Sequence, residues 1–333
     1  MKNKKFNYFI LLIFTVLVLY FSLKDNFSEV TDYIVKMNPI WFLYSLLLMV
    51  VYWIFKALIT RRYVRYYNPD YKFIKAFRLQ LETMFFNGIT PFSSGGGPFQ
   101  VLSLKKDGVR ILNSTNIIVI SAFLHELALF TFMTISIVAN RFLKLYEESI
   151  TVRNLCIFGY VICVLFMGFL LLVMFNEKFN KKIASIVIKI LNKARLVKDK
   201  EAMIKKWHNY IQSLNEGSKI IRSSRRTFIL CYIYNTLAMF AYILVAYTVA
   251  RGMGSPVELY KVVITTSYVL MIGMFVPIPG GTGGLEYAFT ALYSNFIAGS
   301  MVSSIMLVWR FITYYLGIVL GGIVLNFKKR SMN

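Results

Sequence analysis

Phe275-Val276-Pro277-Ile278-Pro279-Gly280-Gly281-Thr282-Gly283-Gly284-Leu285-Glu286 decides how this chain folds. Apolar runs able to enter a bilayer flank it on both sides, yet its two prolines and four glycines cannot continue a helix. In hydrocarbon, broken backbone survives only where protein buries it or a watery cavity reaches it. Glu286 follows at once, an ionisable group at a depth where carboxylates are costly and commonly functional. Working outward, a similar break stands at Thr90-Pro91-Phe92-Ser93-Ser94-Gly95-Gly96-Gly97-Pro98. Two broken segments in one membrane chain point to a transport site between them.

The composition agrees with a bilayer setting. Of 333 residues, 57% are hydrophobic and only 16% charged, less charge than a soluble chain carries. Several apolar runs reach the ~20 residues that cross a bilayer. The net charge of +23 comes from Lys and Arg between those runs, the positive-inside pattern and not a nucleic-acid module. Cys156, Cys163 and Cys231 lie inside apolar runs without CxxC spacing, and His125 and His208 are the only histidines, so neither a metal nor a disulfide is expected.

The expected fold is an all-α integral membrane protein of six full spans and two re-entrant elements, in one domain over 1–333. Its first half is 1–175 and its second half 227–333. The spans are placed at Phe6–Leu23, Asn38–Thr60, Ile111–Ala139, Val152–Phe175, Thr227–Ala250 and Met301–Phe327. Pro39 suits a helix start, Trp41 and Trp53 read as interfacial anchors, and Lys56 reads as a snorkelling residue near the inner end. The first re-entrant element runs in from Lys72 through the first break to Lys105 and Lys106. The second runs from Val257 through the opening motif to Ala298.

Between the halves, 176–226 holds 14 Lys/Arg against 4 acids. Its apolar residues recur at helical spacing, so it is expected to lie on an anionic inner leaflet as amphipathic helices. Drawn this way, 29 of the 38 basic residues fall on the inner side and 7 on the outer. Both termini are then cytoplasmic, in a bacterial-type plasma membrane.

The first break thus opens inward and the second outward, which is what an inverted repeat gives. Placing Pro91 over Pro277 sets Gly95 on Gly281, Gly97 on Gly283 and Gln100 on Glu286. Such loops suit an anionic headgroup, because glycines let backbone N–H groups approach phosphate oxygens and a restarting helix presents its positive end. Gly95, Gly96, Gly97 and Gln100 are the candidates at the first break, and Gly280, Gly281, Gly283, Gly284 and Glu286 at the second. Arg310, alone in the last span, is expected to pair with Glu286 or with phosphate. Glu126 in the third span is a further candidate, and its neighbour His125 points about 100° away from it. No nucleotide loop, G-x-S-x-G or H-E-x-x-H motif is present, so no cofactor and no catalytic residue is expected.

At these residues the chain resembles the flippase-like transmembrane domain of lysylphosphatidylglycerol synthases, the multiple peptide resistance factors. The resemblance rests on Pro279-Gly280-Gly281-Thr282-Gly283-Gly284-Leu285-Glu286 and on the earlier Gly-rich break. It covers about residues 6 to 327. It departs after the first break, where the family has a basic residue close by and this chain has none before Lys105. Full-length members add a cytosolic domain that uses charged tRNA to modify phosphatidylglycerol, and this sequence carries no such stretch. The resemblance therefore implies movement of an aminoacylated phospholipid or a glycolipid between leaflets. A separate lipid-modifying synthase is the implied partner, and resistance to cationic antimicrobial peptides the implied benefit. A phosphatidylglycerol lysyltransferase, a small-anion carrier and a membrane scaffold are the alternatives.

Overall fold

The structure, a computed structural model, describes residues 27–146, 150–182, 185–186, 224–274, 276 and 278–330. The expected first span and most of the basic connection lie outside them. Every regular element described is helical. Five helices are long and apolar enough to cross a membrane: Pro39–Val64 (α2), Ile111–Leu143 (α5), Arg153–Phe175 within α6 (Ile150–Phe175), Arg225–Gly252 (α7) and Gly299–Asn326. The last comprises α10 (Gly299–Arg310), a π-helical turn at Phe311–Tyr315 and most of α11 (Leu316–Arg330). A short α1 (Phe27–Val35) precedes them and packs on α10.

Outward faces carry Leu43, Leu47 and Val51 on α2, and Phe158, Val161 and Leu165 on α6, all exposed. Contiguous apolar faces of this kind suit lipid. Trp53 is not an interfacial anchor. It is 3% exposed and belongs to the central core, because it lies on the face of α2 that packs into the bundle.

α2 and α7 form the spine, and their polar contacts fix its sense. Asn38 N–H donates to Gly252 O at 2.9 Å, and the Ser45 and Thr248 hydroxyls meet at 2.8 Å. Further along, Lys56 Nζ donates to Asn235 Oδ1 at 3.1 Å, and the Tyr66 and Thr227 hydroxyls meet at 2.7 Å. Partners climb α7 as α2 descends, so the two helices are antiparallel over their whole length. Between helices in lipid, such bonds and close packing hold the fold, each bond contributing about 1 kcal/mol.

Each spine helix leads into a broken hairpin. After α2 come α3 (Phe73–Gly88), a 3-10 turn at Pro91–Ser93 and α4 (Gly96–Lys106). Asn68 Nδ2 donates to Asp107 O at 3.1 Å, so this hairpin returns to the face it left. After α7 come α8 (Leu259–Gly273), a 3-10 turn at Pro279–Gly281 and α9 (Gly284–Tyr293). Its arms are tied where the Thr266 and Tyr293 hydroxyls meet at 2.6 Å. Tyr146 adds a clamp from outside the hairpin, bonding Thr265 Oγ1 at 2.7 Å and Leu292 O at 3.1 Å. Because α2 and α7 run oppositely, the hairpins enter from opposite faces, and their tips touch.

Exchanging the halves maps the packing onto itself. α3 lies on α11 as α8 lies on α5, and α4 on α5 as α9 lies on α10. The α3–α11 seam is close enough that a Cβ on Gly321 would stand 2.3 Å from Leu81 O, so only glycine fits there. The repeat is inverted as expected, but its register differs from the expected one. Pro91 matches Pro279 and not Pro277, since the residues after each, Phe92 and Ser93 (φ 51° and 51°) and Gly280 and Gly281 (φ 64° and 65°), share the left-handed conformation. In this register Gly95 matches Gly283, Gly96 matches Gly284, and each of the latter opens a helix.

Candidate functional site

The second tip is built around Arg310. Gly280 turns the chain with a left-handed φ, and a Cβ there would stand 2.2 Å from the Tyr314 ring. That turn aims the Gly280 carbonyl at Arg310, whose Nη2 donates to it at 3.0 Å and approaches Thr282 Oγ1 at 3.5 Å. α9 restarts at Gly284, and Glu286, in its first turn, reaches back so that Oε2 accepts from Gly283 N–H at 2.6 Å. Glu286 Oε1 lies 2.7 Å from Arg310 Nε, with the two side chains 6% and 3% exposed. A buried ion pair persists when further hydrogen bonds offset its desolvation, and each partner here has them. The guanidinium carbon also stands 4.4 Å from the Tyr314 ring centroid, a cation–π distance.

The first tip is capped differently. Thr90 Oγ1 accepts from Gly95 N–H at 2.8 Å, and Asn87 Oδ1 from Gly96 N–H at 2.9 Å. Gln100 donates to Thr83 Oγ1 at 2.9 Å. The amides of Gly95, Gly96 and Gly283, expected to meet phosphate, are therefore satisfied by Thr90, Asn87 and Glu286. Gly97 packs towards Ile118 on α5, and Gly284 against Val276.

Between the tips lies a cavity of about 620 Å³. Of the expected site residues, Gly280, Gly281, Arg310 and Glu126 line it, while Gly95, Gly96, Gly97, Gln100, Gly283, Gly284 and Glu286 do not. Glu286 acts on it through Arg310. The offset that carries Pro91 onto Pro279 carries Ser93 onto Gly281, His125 onto Thr313 and Glu126 onto Tyr314, and all six of those residues line the cavity. The cavity thus sits on the pseudo-twofold axis. His125 and Glu126 both reach it, the helix showing two adjacent positions to one wide opening.

Residues 8–321 match the family described as the lysylphosphatidylglycerol synthase TM region. The chain belongs to this family. It is also similar to a UPF0104 membrane protein of Archaeoglobus fulgidus, with 24% identity over 312 residues, 90% of each chain. The matched range takes in four of the described crossings whole, most of the last one and both tips, so the chain is a multi-pass membrane protein carrying the membrane region of this synthase family.

Sequence reasoning missed two members of this site. Lys56 does not snorkel to an interface. It bonds inward to Asn235 on α7. Tyr314 holds the tips together, its hydroxyl donating to Gly88 O at 2.8 Å. A lysine and an asparagine inside apolar runs, each charged or amide-bearing at a costly depth, were the available signal.

Proposed function

We propose that this chain is a lipid flippase that passes a phosphate-bearing headgroup, aminoacylated as in lysylphosphatidylglycerol, through the cavity between its two hairpin tips. The observation that carries the reading is the meeting of two oppositely entering hairpins at a cavity with Arg310 on its wall. A volume of about 620 Å³ falls within the ordinary range for a bound small molecule. Arg310 supplies a planar donor for phosphate, and Glu126 a carboxylate for an amine. The acyl tails remain in lipid along the apolar outer faces. With the basic ends cytoplasmic, the face where α2 ends is the inner one and loading begins there.

The experiment uses cells that make lysylphosphatidylglycerol with a separate synthase. An impermeant amine reagent then reads the lipid in the outer leaflet. Expression of this chain is expected to raise labelled lipid while total lipid stays constant. A rise in total lipid with no change in the labelled fraction would support the lysyltransferase reading instead.

A further inference from the structure

Arg310 and Glu286 neutralise each other by contact, but Lys56 and Glu126 do not. Among the described residues, Glu126 stands within ion-pair distance of no cation. Among the described residues, its side chain accepts one hydrogen bond, from the Cys163 thiol, a weak donor, with Sγ 3.9 Å from Oε2. Lys56 is held by Asn235 and does not clamp Glu126. A carboxylate this deep in a bundle, open to a cavity and without a contact counter-ion, has the setting of a proton-relay group.

Resting on the flippase reading, we propose that Glu126 is the proton-binding site that couples lipid movement to a transmembrane proton gradient. With the cavity empty, Glu126 holds a proton as an O–H group. When the lipid enters, its ammonium pairs with the Glu126 carboxylate, which gives that proton to cavity water. When the lipid leaves, Glu126 takes a proton from cavity water again. Lipid and proton therefore take turns at Glu126, so proton flow one way drives lipid the other way, and by linkage each weakens the other's binding.

A metal ion fits less well, because hard cations need several oxygen ligands. Around Glu126 stand a thiol, an ammonium and the apolar Leu129 and Ile162. The titratable and charged groups facing it are Tyr52 and Lys56 from α2, Cys163 from α6, Tyr242 from α7, and Arg310 and Tyr314 from the last crossing, with His125 beside it. α8 presents Leu270 and Met274 to the cavity, and the basic residues of α4, Lys105 and Lys106, lie in its last turn.

The test uses the purified chain in phosphatidylcholine vesicles containing fluorescent lysylphosphatidylglycerol, with the membrane potential clamped by potassium and valinomycin. Dithionite quenching reads the lipid's distribution between leaflets after a pH step. One pH unit is worth about 1.4 kcal/mol per proton, so one-for-one coupling shifts the leaflet ratio about tenfold per unit. Glu126→Gln is expected to abolish the response and Glu126→Asp to retain it. Lys56→Gln is expected to move its pH dependence, which a purely structural lysine would leave in place. Lipid movement that ignores the gradient overturns the coupling and leaves the flippase reading standing. A gradient response surviving in Glu126→Gln overturns the site, and an altered lipid affinity there with the response intact leaves Glu126 as an amine ligand only. No lipid movement under any condition contradicts the flippase reading and this inference with it.

Discussion

Tyr314 joins the two halves of the molecule beside the hairpin tips: its hydroxyl donates to the carbonyl of Gly88 at 2.8 Å, while its ring covers Arg310 at 4.4 Å. Gly88 ends the helix leading to the first tip, and Arg310 anchors the second. One side chain on the last crossing therefore senses both hairpins.

Tyr314→Phe keeps the ring over Arg310 and removes the hydroxyl that donates to Gly88. Leaving that carbonyl unpaired is expected to cost about 1–3 kcal/mol locally. Amide hydrogen exchange should rise more over residues 88–95 than over 279–286. Equal change at both tips, or at neither, would show that the hydroxyl does not hold the first tip.

The glycines of the second tip are not equivalent. Gly280 and Gly283 both have positive φ, at 64° and 87°, where a side chain costs about 1–2 kcal/mol. A Cβ on Gly283 meets nothing within 4 Å, whereas one on Gly280 collides with the Tyr314 ring. Gly280→Ala is thus expected to lower the unfolding temperature in detergent clearly more than Gly283→Ala. The reverse order would contradict the tip geometry.

Removing one partner of the buried Arg310–Glu286 pair leaves the other charge uncompensated, a loss of about 3–5 kcal/mol. Glu286→Gln also replaces the carboxylate that accepts from Gly283 N–H. Arg310→Met should be similarly damaging, while the double variant should recover part of the loss. Strict additivity in thermal unfolding would mean the two side chains do not interact.

The inverted arrangement can be read chemically. Ser45 and Thr248 touch, so cysteines placed at both are expected to cross-link under mild oxidation. Cysteines at Ser45 and Thr227 should not, since Thr227 lies at the other end of the antiparallel pair, beside Tyr66. Linkage of the second pair alone would make α2 and α7 parallel and place both hairpins on one face.

Much of this was legible in the chain. Hydrophobic length located the crossings, and Pro and Gly inside apolar runs located both breaks. The spacing of basic residues alone suggested that the breaks open to opposite faces. The register between them was hidden because one left-handed pair is Gly280-Gly281 and the other is Phe92-Ser93, residues that do not advertise that conformation. The capping of the glycine amides was hidden as well. Asn87 lies nine positions before Gly96, a distance no short motif shows. Lys56 was misplaced because α2 runs to Val64, which draws its ammonium inward to Asn235.

The central claim is that the cavity between the tips carries a lipid headgroup across the membrane. Dithionite quenching of fluorescent lysylphosphatidylglycerol in vesicles holding the purified chain measures this directly. Without transport, only the outer-leaflet half of the label is lost, about 50%. With the active chain the account predicts loss well beyond half, and loss at the level of protein-free vesicles for an Arg310→Gln chain that still folds. Quenching that stops at half with the natural sequence, or that is equally complete with Arg310→Gln, would contradict it.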